Sequence, residues 1–235
     1  MKRDRIGIGW LIFLGALVLR TGWVLYRWKQ TGPAFEFDDE QLHWQLATNL
    51  VQKGALVADD GRLAARMPAY PLFLALFAGL GDIGRLVARL AQALLGAFAA
   101  LVGFRLARSA LGPRAALVAG VLLAIDPFAI FFSQLLLTEV LFTFLAVAAT
   151  ACFWRLITRE NTLSLAALVG AAVFGALALL TRPSSAGWII LLWLILRVVK
   201  PTNRYTLAQL VTCALTLALL LLPWGMRNKA VLGSH

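Results

Sequence analysis

Two carboxylates stand out for where they fall in an apolar chain. Asp39 lies in "FDDEQLHWQLATNL", between Asp38 and Glu40 and four residues before His43; Glu139 lies in "SQLLLTEVLF", at the head of an apolar run. A carboxylate within about 2.6–3.2 Å of a hydroxyl can take its proton as that oxygen attacks an electrophile. Ionisable groups at membrane depth are costly and tend to be functional. Each acid also has a plainer explanation. Three acids in one first turn complement a helix dipole, with His43 an ordinary interfacial polar residue. Glu139 can sit in a first turn behind Thr138 as cap.

Cations complement them. Arg66 precedes "MPAYPLFLALFAGL" and Arg182 lies in "LLTRPSS". The planar fork of arginine holds two phosphate oxygens at once, although either side chain could instead snorkel to lipid headgroups. Arg20, Arg85 and Arg89 are weaker candidates of the same kind. Asp126-Pro127 falls inside an apolar run, where Pro127 weakens the helix and Asp126 caps or hydrates the break.

The elements that must position these groups follow from composition. Of 235 residues, 61% are apolar and 14% charged, against roughly 45–50% and about 25% in soluble proteins. Mean hydropathy is +0.82, which excludes both a water-soluble globule and a disordered chain. The net charge of +11 does not point to nucleic acid, because the basic residues punctuate apolar runs instead of forming a patch. Cys152 and Cys213 fall inside apolar runs and read as packing residues.

The expected fold is all-α, a polytopic membrane protein with about seven transmembrane helices. The spans are 6–26, 86–106, 115–132, 140–156, 163–180, 186–199 and 207–224. The first reads as a signal anchor, too long for a cleaved signal peptide. A long first outer loop, residues 27–85, holds a surface helix and a re-entrant segment, 67–80, too short to cross the bilayer. In the surface helix Asp38 and Gln41 suggest a capping box. Leu42, Leu46 and Leu50 form a stripe that would lie along the membrane.

Lys2, Arg3, Arg5, Arg105, Arg108, Arg114, Arg155, Arg159, Arg197, Lys200 and Arg204 fall on one side, cytoplasmic by the positive-inside rule. Of the eleven acids only Asp4 and Glu160 share that side, so chemistry is expected at the opposite face. Trp224, in "LPWGMRNKAVLGSH", reads as an interfacial anchor where the last span ends.

The ordered set Asp39-Glu40 with Ala47, Asn49 and Leu50, Arg66-Met67-Pro68 with Tyr70-Pro71, Thr138-Glu139, Thr181-Arg182-Pro183, and Pro223-Trp224 with Arg227-Asn228 resembles the GT-C superfamily of membrane glycosyltransferases. The branch is that of protein O-mannosyltransferases and lipid A aminoarabinose transferases. His43 stands where members often carry Tyr. Members also usually continue with more spans, so residues 1–235 read as a single amino-terminal module without the family's C-terminal part, whether a truncated product, a fragment or a form that needs a partner.

The resemblance implies an inverting transfer of a sugar from a polyprenyl-phosphate donor to a hydroxyl acceptor on a protein, lipid or glycan. Asp39 would be the base and Glu139 a second catalytic acid. Asp38, Glu40, His43, Arg66, Tyr70, Arg182 and Arg227 would contact substrate. Asp39 and Glu139 would hold a divalent Mg or Mn ion if one is used. The expected place is the bacterial inner (plasma) membrane, the N-terminus cytoplasmic and the active face periplasmic or extracellular, among membrane lipids and without nucleic acid. The rival is a noncatalytic transporter fragment or assembly scaffold; a transporter should show an internal repeat with midplane binding groups, and the sequence shows none.

Overall fold

The computed structural model describes residues 4–63, 65–158, 164–199 and 204–233. The sequence readings of Lys2, Arg3, Arg159, Glu160 and Lys200, and of the side chains of Asp4, Arg5, Arg197, Arg204 and Cys213, lie outside the described residues.

Every described element is helical: α1 (Asp4–Thr31), α2 (Asp38–Lys53), α3 (Ala69–Ala78), α4 (Gly81–Leu111), α5 (Pro113–Ile125), α6 (Pro127–Phe132), α7 (Glu139–Thr158), α8 (Leu165–Thr181), α9 (Ala186–Val199) and α10 (Arg204–Leu232). A short 3-10 turn, Pro183–Ser185, leads into α9. Three helices among the described residues are long and apolar enough to cross a membrane: Gly7–Thr31, Gly81–Leu111 and Glu139–Thr158. The all-α membrane class is as expected, while several of the seven expected spans are shorter helices.

The chain forms two compact units, residues 1–144 and 145–235. In the first, α4 packs on α1 and α5, and α2 packs on α3. Small residues let the backbones close up, as membrane helix packing requires. Ala16, Ala97, Ala100, Ala116 and Ala124 form one buried cluster with Ile12, Phe13, Leu101 and Phe104. In the second unit α8 packs against α10, and Phe153 and Leu156 bury themselves among Ala167, Leu168, Ala171 and Ala172.

The expected third span is two helices. Pro127 has no N–H to continue the ladder, and Asp126 turns out of helical geometry at φ −53°, ψ 115° while accepting from the Phe128 N–H at 3.0 Å. This break orphans carbonyls at the end of α5. Arg20 of α1 satisfies them, donating to Leu123 O at 2.8 Å and Ala124 O at 2.9 Å as well as to Ala16 O at 3.2 Å. Room for the guanidinium comes from Gly96 of α4, where a Cβ would lie 2.8 Å from Arg20 Nε. At the other end of the chain, α10 runs on through Pro223 to Leu232 and does not end at Trp224 as expected.

The α3–α4 connection is equally tight, since a Cβ on Gly84 would lie 2.1 Å from the Phe77 carbonyl oxygen. A backbone atom cannot swing aside as a side-chain tip can. Gly84→Ala is expected to destabilise the protein by about 1–3 kcal/mol, read as a lower unfolding temperature in detergent. Gly79→Ala, with nothing within 4 Å of its Cβ, serves as a control that should leave that temperature unchanged.

Candidate active site

The first turn of α2 is organised by Glu40. Phe37 is the N-cap, so Glu40 occupies the third helical position, from which a carboxylate reaches back to orphaned N–H groups. It accepts from the backbone N–H of Glu36 at 2.8 Å and of Phe37 at 3.2 Å. The expected capping by Asp38 and Gln41 is therefore replaced by Phe37 and Glu40, one residue earlier. Its other oxygen accepts from the Leu136 N–H at 2.7 Å and faces Arg89 at 3.8 Å. Glu40 is wholly buried and Arg89 nearly so.

Those bonds tie α2 to the segment before α7. Residues 133–138 are non-helical and Ser133 to Leu136 are buried, so their backbone groups need partners other than water. Gln92 of α4 donates to Ser133 O at 3.3 Å and Leu135 O at 2.7 Å. The Tyr70 hydroxyl donates to the Gln92 carbonyl oxygen at 2.6 Å. Gln134 donates to Glu36 at 3.1 Å, and Arg27 pairs with the same carboxylate oxygen. Arg89 also donates to Gly32 O at 3.2 Å and Ala34 O at 2.9 Å, and Arg85 to Pro33 O at 2.8 Å. Side chains of α2 and α4 thus fix both the start of the long loop and the approach to Glu139.

Beside this buried cluster Asp39 pairs with Arg66, twenty-seven residues on in sequence. Both are accessible, Asp39 59% and Arg66 37% exposed at the side chain. Such pairs contribute little to stability, about 0–1 kcal/mol, so neither group is committed to holding the fold. Asp38 is exposed in the same turn.

His43 is buried. The buried face of α2 carries Glu40, His43, Trp44, Leu46, Ala47 and Asn49, so the Leu42, Leu46, Leu50 stripe does not define it, and the helix packs on α3. His43 meets the Tyr70 ring edge-on at 4.9 Å. Burial first, then the Arg66 charge, pushes its pKa down to about 4, with Asp39 opposing. Tyr70 is fully buried, and its hydroxyl serves Gln92.

Glu139 opens α7 and lines a cavity of about 220 Å³ with Arg20, Asp126, Phe128, Phe132 and Thr143. Glu40 reaches to within three residues of it through Leu136. Arg182 and Arg227 belong to the second unit. Arg182 follows α8, its carbonyl accepting from Ser185 Oγ at 2.8 Å, and Arg227 of α10 lies 5.0 Å from the Trp224 ring centroid. Among the described residues no three His, Cys, Asp or Glu side chains form a metal-binding group. The residues lining the cavity beside Glu139 do not include Asp39.

Gln92 and Glu36 escaped notice in the sequence. A signal was there for Gln92: Arg85, Arg89, Gln92 and Gly96 recur at helical spacing along one face of an apolar span. For Glu36 there was none, since its role depends on a loop returning to Gln134.

An all-helical apolar chain with carboxylates and arginines gathered at helix ends has the architecture of a GT-C type membrane glycosyltransferase module. The chain belongs to the dolichyl-phosphate-mannose-protein mannosyltransferase family, whose model matches residues 65–224, more than half of it. That match includes Arg66, Tyr70, Glu139 and Arg182, while Asp38, Asp39, Glu40 and His43 precede it and Arg227 follows it. Searches of curated proteins and of solved structures returned no match.

Removing the Glu40 carboxylate would strand the Leu136 N–H and leave Arg89 without its counter-ion. Glu40→Ala is expected to lose about 3–5 kcal/mol, seen in the unfolding midpoint, whereas Asp38→Ala should lose less than about 0.5 kcal/mol. His43 generates a pH dependence. Its folded pKa of about 4 lies below the ordinary imidazole value of 6.5, so the unfolded chain binds the extra proton between those values. Stability is complete above pH 6.5 and falls as pH drops toward 4, by up to about 3 kcal/mol. His43→Phe should flatten that fall in acid unfolding; an unchanged slope would assign it to other groups.

Proposed function

We propose that the protein transfers a sugar from a polyprenyl-phosphate donor to a hydroxyl acceptor at the outer membrane face, with inversion at the anomeric carbon. The observation that carries this reading is the accessible Asp39–Arg66 pair, held at the head of α2 by a neighbour that takes the structural duty. Glu40 spends its oxygens on the backbone and Arg89; Asp39 does not.

In the proposed step the acceptor oxygen attacks the anomeric carbon and Asp39 takes its proton. The bond from that carbon to the phosphate oxygen breaks, and its electron pair leaves with the lipid phosphate. Arg66 stabilises the charge that develops there, an interaction stronger in the transition state than in the bound donor. Asp39 and Arg66 hold each other until a phosphate and a hydroxyl arrive to replace both halves of the pair. Glu139 faces its own cavity and orients substrate. Membership of a mannosyltransferase family favours a mannose-type donor.

The test is turnover of a polyprenyl-phosphate sugar by the purified chain in lipid nanodiscs. Asp39→Asn should lower kcat by at least about a hundredfold, and Arg66→Lys, which keeps charge but not the fork, should lower it less than Arg66→Ala does. Equal turnover by the parent and Asp39→Asn would remove the base assignment. No turnover by either would favour the noncatalytic scaffold.

A further inference from the structure

The cavity beside Glu139 has a composition of its own. It holds about 220 Å³, the room of about seven waters at ~30 Å³ each, which suits one hydroxylated six-membered ring. Its walls are mostly apolar, Ala99 and Ala100 of α4 and Phe128 and Phe132 of α6 among them, and three charged residues reach it: Arg20, Asp126 and Glu139. Phe128 is 72% exposed, so the α6 side of the cavity reaches the protein surface.

The charges decide what kind of ligand fits. Two carboxylates against one guanidinium leave one excess negative charge, which in a site of low dielectric repels an anion. Arg20 offers no fork to a phosphate, because both of its terminal nitrogens already donate to the carbonyls of Ala16, Leu123 and Ala124. Its Nε–H is buried without a partner, beside Gly96, which itself lines the cavity. Carboxylates accept from hydroxyls, a guanidinium N–H donates to one, and aromatic rings cover the apolar face of a sugar. The phosphate of a lipid-linked sugar, joined to the ring through one bridging oxygen, would lie at the cavity's mouth, outside these walls.

We propose that the cavity between α1, α4, α6 and α7, with Arg20, Asp126 and Glu139 as its polar groups and Phe128 and Phe132 as its aromatic wall, is a subsite for an uncharged sugar ring and excludes the phosphate. This rests on the transferase reading and assigns a place to one part of its donor.

The experiment measures equilibrium binding of two probes to the full chain in nanodiscs: a polyprenyl phosphate and the same lipid bearing a hexose. The parent should bind the sugar-bearing probe about tenfold tighter. Ala129→Phe and, independently, Thr143→Leu narrow the cavity from α6 and from α7; either one that stays monodisperse should bring the ratio to about one while the sugarless probe binds as before. Glu139→Gln should cut the ratio without abolishing it. The subsite is overturned if the parent shows no sugar-dependent gain, if both filled variants keep it, or if a chelator removes it, which would assign the cavity to a cation. Asp39→Asn separates the two proposals: it should keep the ratio, and its unchanged turnover would sink the base assignment and leave the subsite standing.

Discussion

A carboxylate with no water around it must be matched by donors, and Glu40 has that constraint at the point where a long polar segment meets an apolar bundle. Three backbone N–H groups and the Arg89 guanidinium meet it. The donors come from three separate stretches of chain: the approach to α2, the middle of α4, and the strap before α7. A buried ion pair of this sort is weak evidence for net stability, since the attraction mostly offsets the lost hydration. Its effect is on uniqueness. A register in which Glu40 faced water would leave Leu136 without an acceptor and Arg89 without a counter-charge.

The same rule governs the rest of the first unit. At two places where the backbone leaves helical geometry, a long polar side chain from another helix satisfies it. Arg20 closes the end of α5, and Gln92 holds two carbonyls of the 133–136 strap. Non-helical backbone at membrane depth persists only with such partners, so these breaks are built features. They also have a use. The break at Asp126-Pro127 borders the cavity that Glu139 lines, and the strap delivers Glu139 to the head of α7. Asp39 and Arg66, like Asp38, are left accessible by this scaffolding.

Much of the fold was legible because apolar runs and charge punctuation report the bilayer directly. Residues 86–106 and 140–156 were read within a few residues of α4 and α7. What misled was local pattern without tertiary context. The leucines at 42, 46 and 50 make a clear stripe, yet α2 buries the face that carries Glu40 and His43, because that face packs within the protein, where α2 meets α3. Asp38 looked like the cap since it opens an acidic run; Phe37 takes that position and Glu40 the capping duty. The acids and Arg66 were found by type alone. That Asp39 would pair with Arg66 while its neighbour Glu40 turned inward could not be read from two adjacent acids, which differ only in which helix face they occupy.

The most direct measurement is amide hydrogen exchange of the strap around Leu136 in the detergent-purified protein, compared with Glu40→Gln. If Glu40 joins α2 to α7, the Leu136 amide exchanges slowly in the parent and at least about tenfold faster in the variant, one broken charge-assisted hydrogen bond, while the α4–α5 core stays protected in both. Equal protection of Leu136 in parent and variant would mean that the strap is held by something else, and the placing of Glu139 relative to Asp39 would lose its physical basis.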